Sequence, residues 1–448
     1  MRKIALAFSF YLLVFSFAQA QENYLTLRGR VTDAETKEGL PAVTVYLASQ
    51  AVYTQTNSDG QYVLKVPDSL AQGSVVYALM GYHRDTVALA TAQLKPNRAL
   101  RSDGGRWLRE VSVTEYSPKA VRKLLMDAVA RIPQNYETDS MVGTWFYRDV
   151  RLMNGELFLF DEMVFDALRV GYDKHHKTKK LKKGSDGRYI GSNYKAIRYD
   201  RLLVLDTAYV NSLTVGLGDA YSKYFDEGVV QDDLEMPYIH EMFAKPGNWT
   251  YSAKEITDAE GHSYYLVTMR RKKEKENVGA GIKANVRMTV RLTIEYGTLA
   301  ITKIETNATE GINKFPLILR PIMRKVGLDS VTAVTHSVQH FGEVGGRHTL
   351  TSYNDRNELT LYCAAGSRMG APVQHLVLMQ QGYLTRLRPG NRSFLRRNNI
   401  QPAKAVSITD RNVGEVRYDD SFWQQYNYVP LESDLKQKLE RRLKRGKQ

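Results

Sequence analysis

Three histidines in the C-terminal half come nearest, by type and spacing, to a reactive site: His336, His340 and His348. Side chains along a strand alternate with a period of two, so His336 and His340 would share one face. A hairpin through Gly345-Gly346 would return His348 towards them, and three imidazoles around one point make a zinc site with its fourth position open. His340-Phe341-Gly342-Glu343 also presents a His-x-x-Glu pair. The competing reading is plainer. Histidines beside Thr and Ser along a strand describe a half-exposed sheet surface equally well, so no cofactor is expected unless zinc occupies this trio.

Other catalytic templates are incomplete. Ser192-Asn193-Tyr194-Lys195 fits Ser-x-x-Lys, but its Ser-Asp-Asn and Lys-Thr-Gly companions are missing. The chain contains no Gly-x-Ser-x-Gly elbow, no His-Glu-x-x-His pair and no Gly-x-x-x-x-Gly-Lys phosphate loop. The adjacent carboxylates Asp161-Glu162 and Asp232-Asp233 would point to opposite faces of any strand carrying them, the wrong geometry for an acid and a base acting on one bond. Cys363 ends the strand-like run Leu359-Thr360-Leu361-Tyr362-Cys363 with no base beside it, so it reads as a packed residue. Catalytic residues stay unassigned.

The N-terminus fixes the compartment in which any such residue would work. Arg2 and Lys3 precede an apolar run from Ile4 to Phe17, and Ala18-Gln19-Ala20 offers the small residues of a cleavage site. Residues 1–20 read as a secretory signal peptide cleaved near Ala20. The run is short of the ~20 apolar residues a spanning helix needs, and no later segment of that length is free of charge. No cysteine stands at the cleavage site, so no lipid anchor is expected. Cys363 is the sole cysteine, which excludes an internal disulfide and suits a bacterial envelope protein better than a disulfide-stapled domain. The expected location is the periplasm or the outer-membrane surface of a Gram-negative bacterium.

The net charge of +15 is concentrated in blocks: Lys174 to Lys183, Arg270 to Lys275, the arginines at 386, 388, 392, 396 and 397, and the tail from Lys436 to Gln448. Such blocks attract anionic lipid or lipopolysaccharide, or stay solvated. No nucleic-acid recognition motif accompanies them, and an exported protein does not meet nucleic acid as its proper partner. The expected partners are an envelope protein, a glycan or lipopolysaccharide, with peripheral membrane-surface contact through the basic blocks.

With 448 residues, two or three domains of ~150 residues each are expected. Tyrosine is abundant at 28, and β-branched and aromatic runs are divided by Gly, Asn and Asp, so the chain reads as mainly β. After the signal come Leu25 to Val31, Val43 to Leu47, the stretch Thr56 to Pro67, Ser74 to Leu79 and Thr86 to Leu89. Short strands at this spacing argue for a small antiparallel sandwich. Asp59-Gly60 is expected to form a hairpin turn, with Tyr62, Leu64 and Val66 facing the core together.

The residues Gly29-x-Val31-x-Asp33, Gly39-Leu40-Pro41-Ala42-Val43-x-Val45, Asn57-x-Asp59-Gly60-x-Tyr62-x-Leu64 and Met80-Gly81-Tyr82 resemble the carboxypeptidase-like regulatory domain. The likeness covers residues 24–100 and implies a transthyretin-like, Ig-like β-sandwich at the N-terminus of a Gram-negative envelope protein. Asn57 departs from the aspartate more usual there, although it suits the same turn. The metallocarboxypeptidase version of His-x-x-Glu needs a further histidine far downstream, and the last histidine here is His375. Leu108 to Thr114 is similar to the segment that comes after this domain in TonB-dependent receptors. The remaining chain has long charged runs in place of regular spanning strands, so a receptor barrel is not expected.

Ser117-Pro118 opens a helix with apolar Val121, Leu124, Leu125, Ala128, Val129 and Ile132, closed by Pro133. Strands then return from Trp145 to Cys363. The expected layout is a signal peptide at 1–20, the β-sandwich at 21–114, a linker helix at 115–135, a larger antiparallel β-rich C-terminal domain with few helices at 136–430, and a basic helical tail at 431–448. The function expected is that of an exported, non-catalytic cell-envelope protein that binds or scaffolds through its β-rich module. The alternative is a metal-dependent peptide or glycan hydrolase with its site in the C-terminal domain.

Overall fold

The computed structural model describes residues 24–48, 53–68, 71–79, 82–102, 116–139, 141–169, 172, 196–199, 246–257, 262–272, 275–277, 283–312, 320–321, 327–363, 372–390, 393, 397 and 429–445. The signal segment, Met80-Gly81, the 108–114 stretch, the 174–183 basic block, Ser192 to Lys195 and Asp232-Asp233 lie outside the described residues. Contacts divide the chain into two units. One comprises Met1–Ala78, Arg84–Leu100 and Ser421–Pro430; the other comprises Leu79–His83, Arg101–Asp420 and Leu431–Gln448. Among the described residues no helix is long and apolar enough to cross a membrane.

The first unit contains strands β1 (Tyr24–Asp33), β2 (Thr44–Leu47), β3 (Tyr53–Gln55), β4 (Gln61–Pro67), β5 (Ser74–Ala78), β6 (Asp85–Ala88) and β7 (Arg98–Leu100), with the short helix α1 (Leu89–Leu94) before β7. They make two sheets, ordered β4-β1-β7 and β3-β2-β5-β6. Leu27, Val31, Val45, Leu47, Tyr62, Leu64, Val66, Val75 and Tyr77 are buried, as the alternation of these strands requires. The Tyr62 hydroxyl donates to the Pro96 carbonyl at 2.7 Å and lies 2.9 Å from the Tyr77 hydroxyl, so both phenols are satisfied inside the core. On the other side of β4, Val63 and Lys65 are buried too.

The Asp59-Gly60 turn differs from the expected hairpin. β3 and β4 belong to different sheets, so the turn carries the chain from one sheet to the other. Asn57 organises it: its Oδ1 accepts from Asp59 N at 3.1 Å and Gln61 N at 2.8 Å, while Gly60 N donates to its carbonyl at 2.9 Å. Gly60 then takes φ +79°, and its carbonyl accepts from Val31 N at 2.8 Å, pinning the turn to β1. Asn57 Nδ2 donates to the Pro430 carbonyl at 3.2 Å. A carboxylate has no proton to give there, which supplies a physical reason for asparagine at this position.

The second unit is built on an eleven-stranded sheet. Its strands are β8 (Met141–Met153), β9 (Glu156–Arg169), β10 (Ala196–Tyr199), β11 (Trp249–Thr257), β12 (Ser263–Arg271), β13 (Lys275–Asn277), β14 (Lys283–Glu295), β15 (Ile301–Ile312), β16 (Leu328–Val344), β17 (Arg347–Cys363) and β18 (Val373–Pro389). The spatial order is β10-β9-β8-β18-β17-β16-β15-β14-β12-β11, with β13 beside β14, and every pairing is antiparallel. β14 to β18 form a meander of hairpins, and the earlier hairpin β8–β9 joins the far side of β18. The runs His348 to Tyr353 and Glu358 to Cys363 are one continuous strand, and β18 is a further strand that the sequence pattern did not announce.

Three helices among the described residues dress this sheet. α2 (Pro118–Ala130) starts at Ser117, whose Oγ accepts from Ala120 N at 3.2 Å, and buries Val121, Leu125, Ala128 and Val129. Pro133 does not close the helix as expected. It stands in the first turn of a second short helix, α3 (Ile132–Asn135), where its missing N–H costs nothing. Arg347 Nη1 ties the end of α3 to the sheet by donating to the carbonyls of Pro133 and Gln134, both at 2.7 Å. α4 (Ser433–Arg445) is the expected basic tail helix, yet it is not a free tail: Leu435 joins Val150, Leu157 and Phe160 in one buried cluster, with Leu431 and Leu439 packed against it.

Candidate functional site

The register of β16 and β17 separates the three histidines. His336 and His340 lie on one face of β16, opposite Arg356 and Ser352. Phe341, the next residue, points to the other face, where its ring meets that of Tyr136 at 6.0 Å between centroids. Glu343 shares the Phe341 face and pairs with His348, so His348 lies with Tyr136, at 5.7 Å between ring centroids. The structure therefore brings His336 and His340 to one face and His348 to the opposite one. Among the described residues no group of three His, Cys, Asp or Glu side chains is placed to hold a metal ion.

Each histidine has its own surroundings. His336 Nδ1 donates to Asn307 Oδ1 at 2.8 Å, Asn307 Nδ2 donates to Glu305 Oε1 at 3.0 Å, and Arg291 Nη1 donates to the same oxygen at 2.8 Å. That chain of bonds crosses β14, β15 and β16 as a solvated polar ladder. His340 pairs with Lys303 of β15, and burial together with that ammonium pushes its imidazole down to about 4. A lysine beside an imidazole also opposes a bound cation. His348 places Nε2 at 3.9 Å from Glu295 Oε2, while its Nδ1 is buried and has no hydrogen-bond partner among the described residues.

A different constellation emerges on the Tyr136 face. By register Asp149, Gln380, Asp355 and Ser337 form one row across β8, β18, β17 and β16. Asp149 is fully buried and paired with Arg151 two residues along the same strand, Arg151 Nη2 donating to Oδ2 at 2.8 Å and Nε lying 3.2 Å from both oxygens. Gln380 Nε2 approaches the same carboxylate at 3.5 Å. The Tyr353 ring packs over Gly382, where a Cβ would fall 2.0 Å from its Cε1, so only glycine leaves room for that ring. Burial, with Asp355 and Asp149 nearby, drives the Tyr353 phenol well above its ordinary range and keeps it protonated as a donor. One step further along β17, Asn357 Oδ1 accepts from Thr335 Oγ1 at 2.7 Å.

On the reverse side of β8 the neighbouring Arg148 is also buried. Its guanidinium stands 5.3 Å from the centre of the Phe146 ring and 6.0 Å from that of Phe160, an arrangement in which ring faces replace water around the cation. A third grouping lies where β11, β12 and β14 end. There the Tyr116 hydroxyl donates to Glu255 Oε1, Tyr116 meets Tyr265 edge-on at 6.0 Å, and Tyr265 stacks on the half-exposed Tyr296 at 5.0 Å.

The polar row was not among the residues singled out from the sequence. The available signal was Arg148-Asp149-Val150-Arg151 inside an otherwise apolar strand, since three charges so placed must be paired if the strand is central. The adjacent acids Asp161 and Glu162 fall in β9, at register with Asp149 and Arg148.

Comparison with known proteins adds one assignment. No curated protein matches the chain. Among solved structures, a DUF1329 family protein from Desulfovibrio piger ATCC 29098 is similar at 11% identity, covering 64% of this chain and 100% of that one, with a TM-score of 0.23; at that score the likeness supports no argument about fold or function. Residues 27–113 match the family model described as CarboxypepD_reg-like domain, so the N-terminal sandwich is a module of that family.

Proposed function

We propose that this is an exported, non-catalytic protein of the bacterial cell envelope that binds a protein, glycan or lipopolysaccharide partner through the large sheet of its second unit. The observation that carries the reading is that three polar side chains of that sheet are already engaged. Asp149 is held by Arg151, Asn357 by Thr335, and His336 by Asn307. A general acid or base has to exchange protons with substrate from within hydrogen-bond reach, whereas side chains locked to one another form a fixed polar relief suited to recognition. The N-terminal module supports the same reading, because its family is named for a regulatory and not a catalytic domain.

Photo-crosslinking in intact cells tests this directly, with the reactive group placed at Val334 or Tyr362, both well exposed on the sheet. The expected result is capture of a discrete envelope component, lost when residues 1–20 are removed. Recovery of the protein in the cytoplasm would overturn the proposal. So would stoichiometric zinc that disappears in His336→Ala or His340→Ala protein, since that outcome belongs to the hydrolase reading.

A further inference from the structure

The face of the large sheet that carries Tyr136 is not sealed at its centre. Thr335 and Ser337 of β16, Asp355 and Asn357 of β17 and Gln380 of β18 are half-buried there, with buried Trp145 and Tyr353 at one end and buried Leu361 and Leu376 at the other. Central strands facing a core ordinarily carry apolar side chains at such positions. An ion pair such as Asp149 with Arg151 is a poor substitute in stability, because desolvation offsets much of its attraction. A polar floor in this place is better explained by what it contacts than by what it stabilises.

The atoms that remain define the contact. Gln380 turns Nε2 to Asp149, and Thr335 gives its hydroxyl proton to Asn357 Oδ1. Gln380 Oε1, Asn357 Nδ2 and the Ser337 hydroxyl have no hydrogen-bond partner among the described residues. One accepts, one donates and one does both, and a ligand hydroxyl can answer each of them. From Asp149 to Ser337 the row crosses three strand spacings, about 14 Å. Arg151 is neutralised by Asp149, and Asp355 adds a further carboxylate, so a phosphate group gains nothing here. We infer that this half-buried row is a binding site for a neutral oligosaccharide laid across β8, β18, β17 and β16. The inference rests on the recognition role proposed above and narrows its partner to uncharged glycan on the Tyr136 face. An extended peptide fits less well, because its backbone would seek the open edge of a strand and the row lies in mid-sheet.

Isothermal titration calorimetry of the purified full-length protein tests this, with maltohexaose, cellohexaose, mannohexaose and chitohexaose as neutral probes and hexagalacturonic acid as the charged one. At least one neutral probe is expected to bind, and hexagalacturonic acid to bind more weakly. Ser337→Ala should weaken the neutral probe about 2–10-fold, the effect of one lost hydrogen bond, and leave the melting temperature in place. Arg356→Ala, on the exposed His336 face, should leave the affinity unchanged. The proposal is overturned if no neutral probe binds, if hexagalacturonic acid binds more tightly, or if Arg356→Ala lowers the affinity and Ser337→Ala does not. Capture of a protein partner in cells without any oligosaccharide binding would remove this inference and leave the envelope reading intact. A cytoplasmic location would defeat that reading and leave the calorimetry standing.

Discussion

Gly60 shows how much can depend on one absent side chain. A Cβ at this position would fall 2.2 Å from the Val31 carbonyl oxygen, and φ of +79° already disfavours any branched residue. Gly60→Val should therefore destabilise the first unit by about 2–5 kcal/mol, combining backbone strain with overpacking, as a fall in its thermal midpoint. Asp59→Asn should leave the midpoint and partner binding nearly unchanged, since it is Asn57 that organises the turn. In the second unit, Arg151→Leu strands a fully buried carboxylate and should cost about 3–5 kcal/mol in denaturant unfolding; a near-neutral result would mean Asp149 has other support. His340 carries a pH signature. Its folded-state value, about 4, lies below the ordinary histidine value of 6.5, so the unfolded chain takes up a proton first as pH falls. Its contribution is complete above about pH 6.5 and is lost between there and about pH 4. Melting curves across that window should be flatter for His340→Gln than for the wild type.

At the scale of elements, α4 illustrates a side of a helix that charge patterning conceals. Leu435→Ala removes the central contact of the α4 stripe with the β8–β9 hairpin and should cost about 2–3 kcal/mol, measurable by urea unfolding of the second unit. The sequence alone reads as a basic tail; Leu435 and Leu439 stand four residues apart on one helix face, and only the folded chain reveals which surface accepts them. Strands β11, β12, β14, β15 and β16 were readable because their apolar residues alternate. β18 was not, since Gln374, Gln380, Gln381 and Arg386 break that alternation; Gln374 and Gln380 are tolerated because side chains of the β8 hairpin satisfy them, Asn154 for Gln374 and Asp149 for Gln380. Pro133 and the Asp59-Gly60 turn share a different lesson. Local chemistry correctly marked a break or a turn, whereas the next element in the chain, a second helical turn or a strand of another sheet, depends on contacts distant in sequence. The row through Asp149 was beyond reach for the same reason, because it exists only once four strands have been set in register.

Across the whole molecule, the CarboxypepD_reg-like module has its strands close together in sequence, while the large sheet does not. β8 and β18 are central neighbours, with Met141 opposite Pro389, so the sheet is continuous only when both ends of a long intervening segment have met. Deleting residues 373–389 should leave β8 paired with β9 on one edge and open along the other from Met141 to Met153; the shortened protein should be recovered as aggregate. Pairing over such a separation is slow, because the closure entropy must be met before the contacts that compensate it can form. A chain made from its N-terminus delivers the β8–β9 hairpin long before β18 emerges. For that interval the newborn protein carries one nearly finished domain and one unzipped sheet, which makes the time of waiting, more than the strength of the final fold, the hazard of its folding.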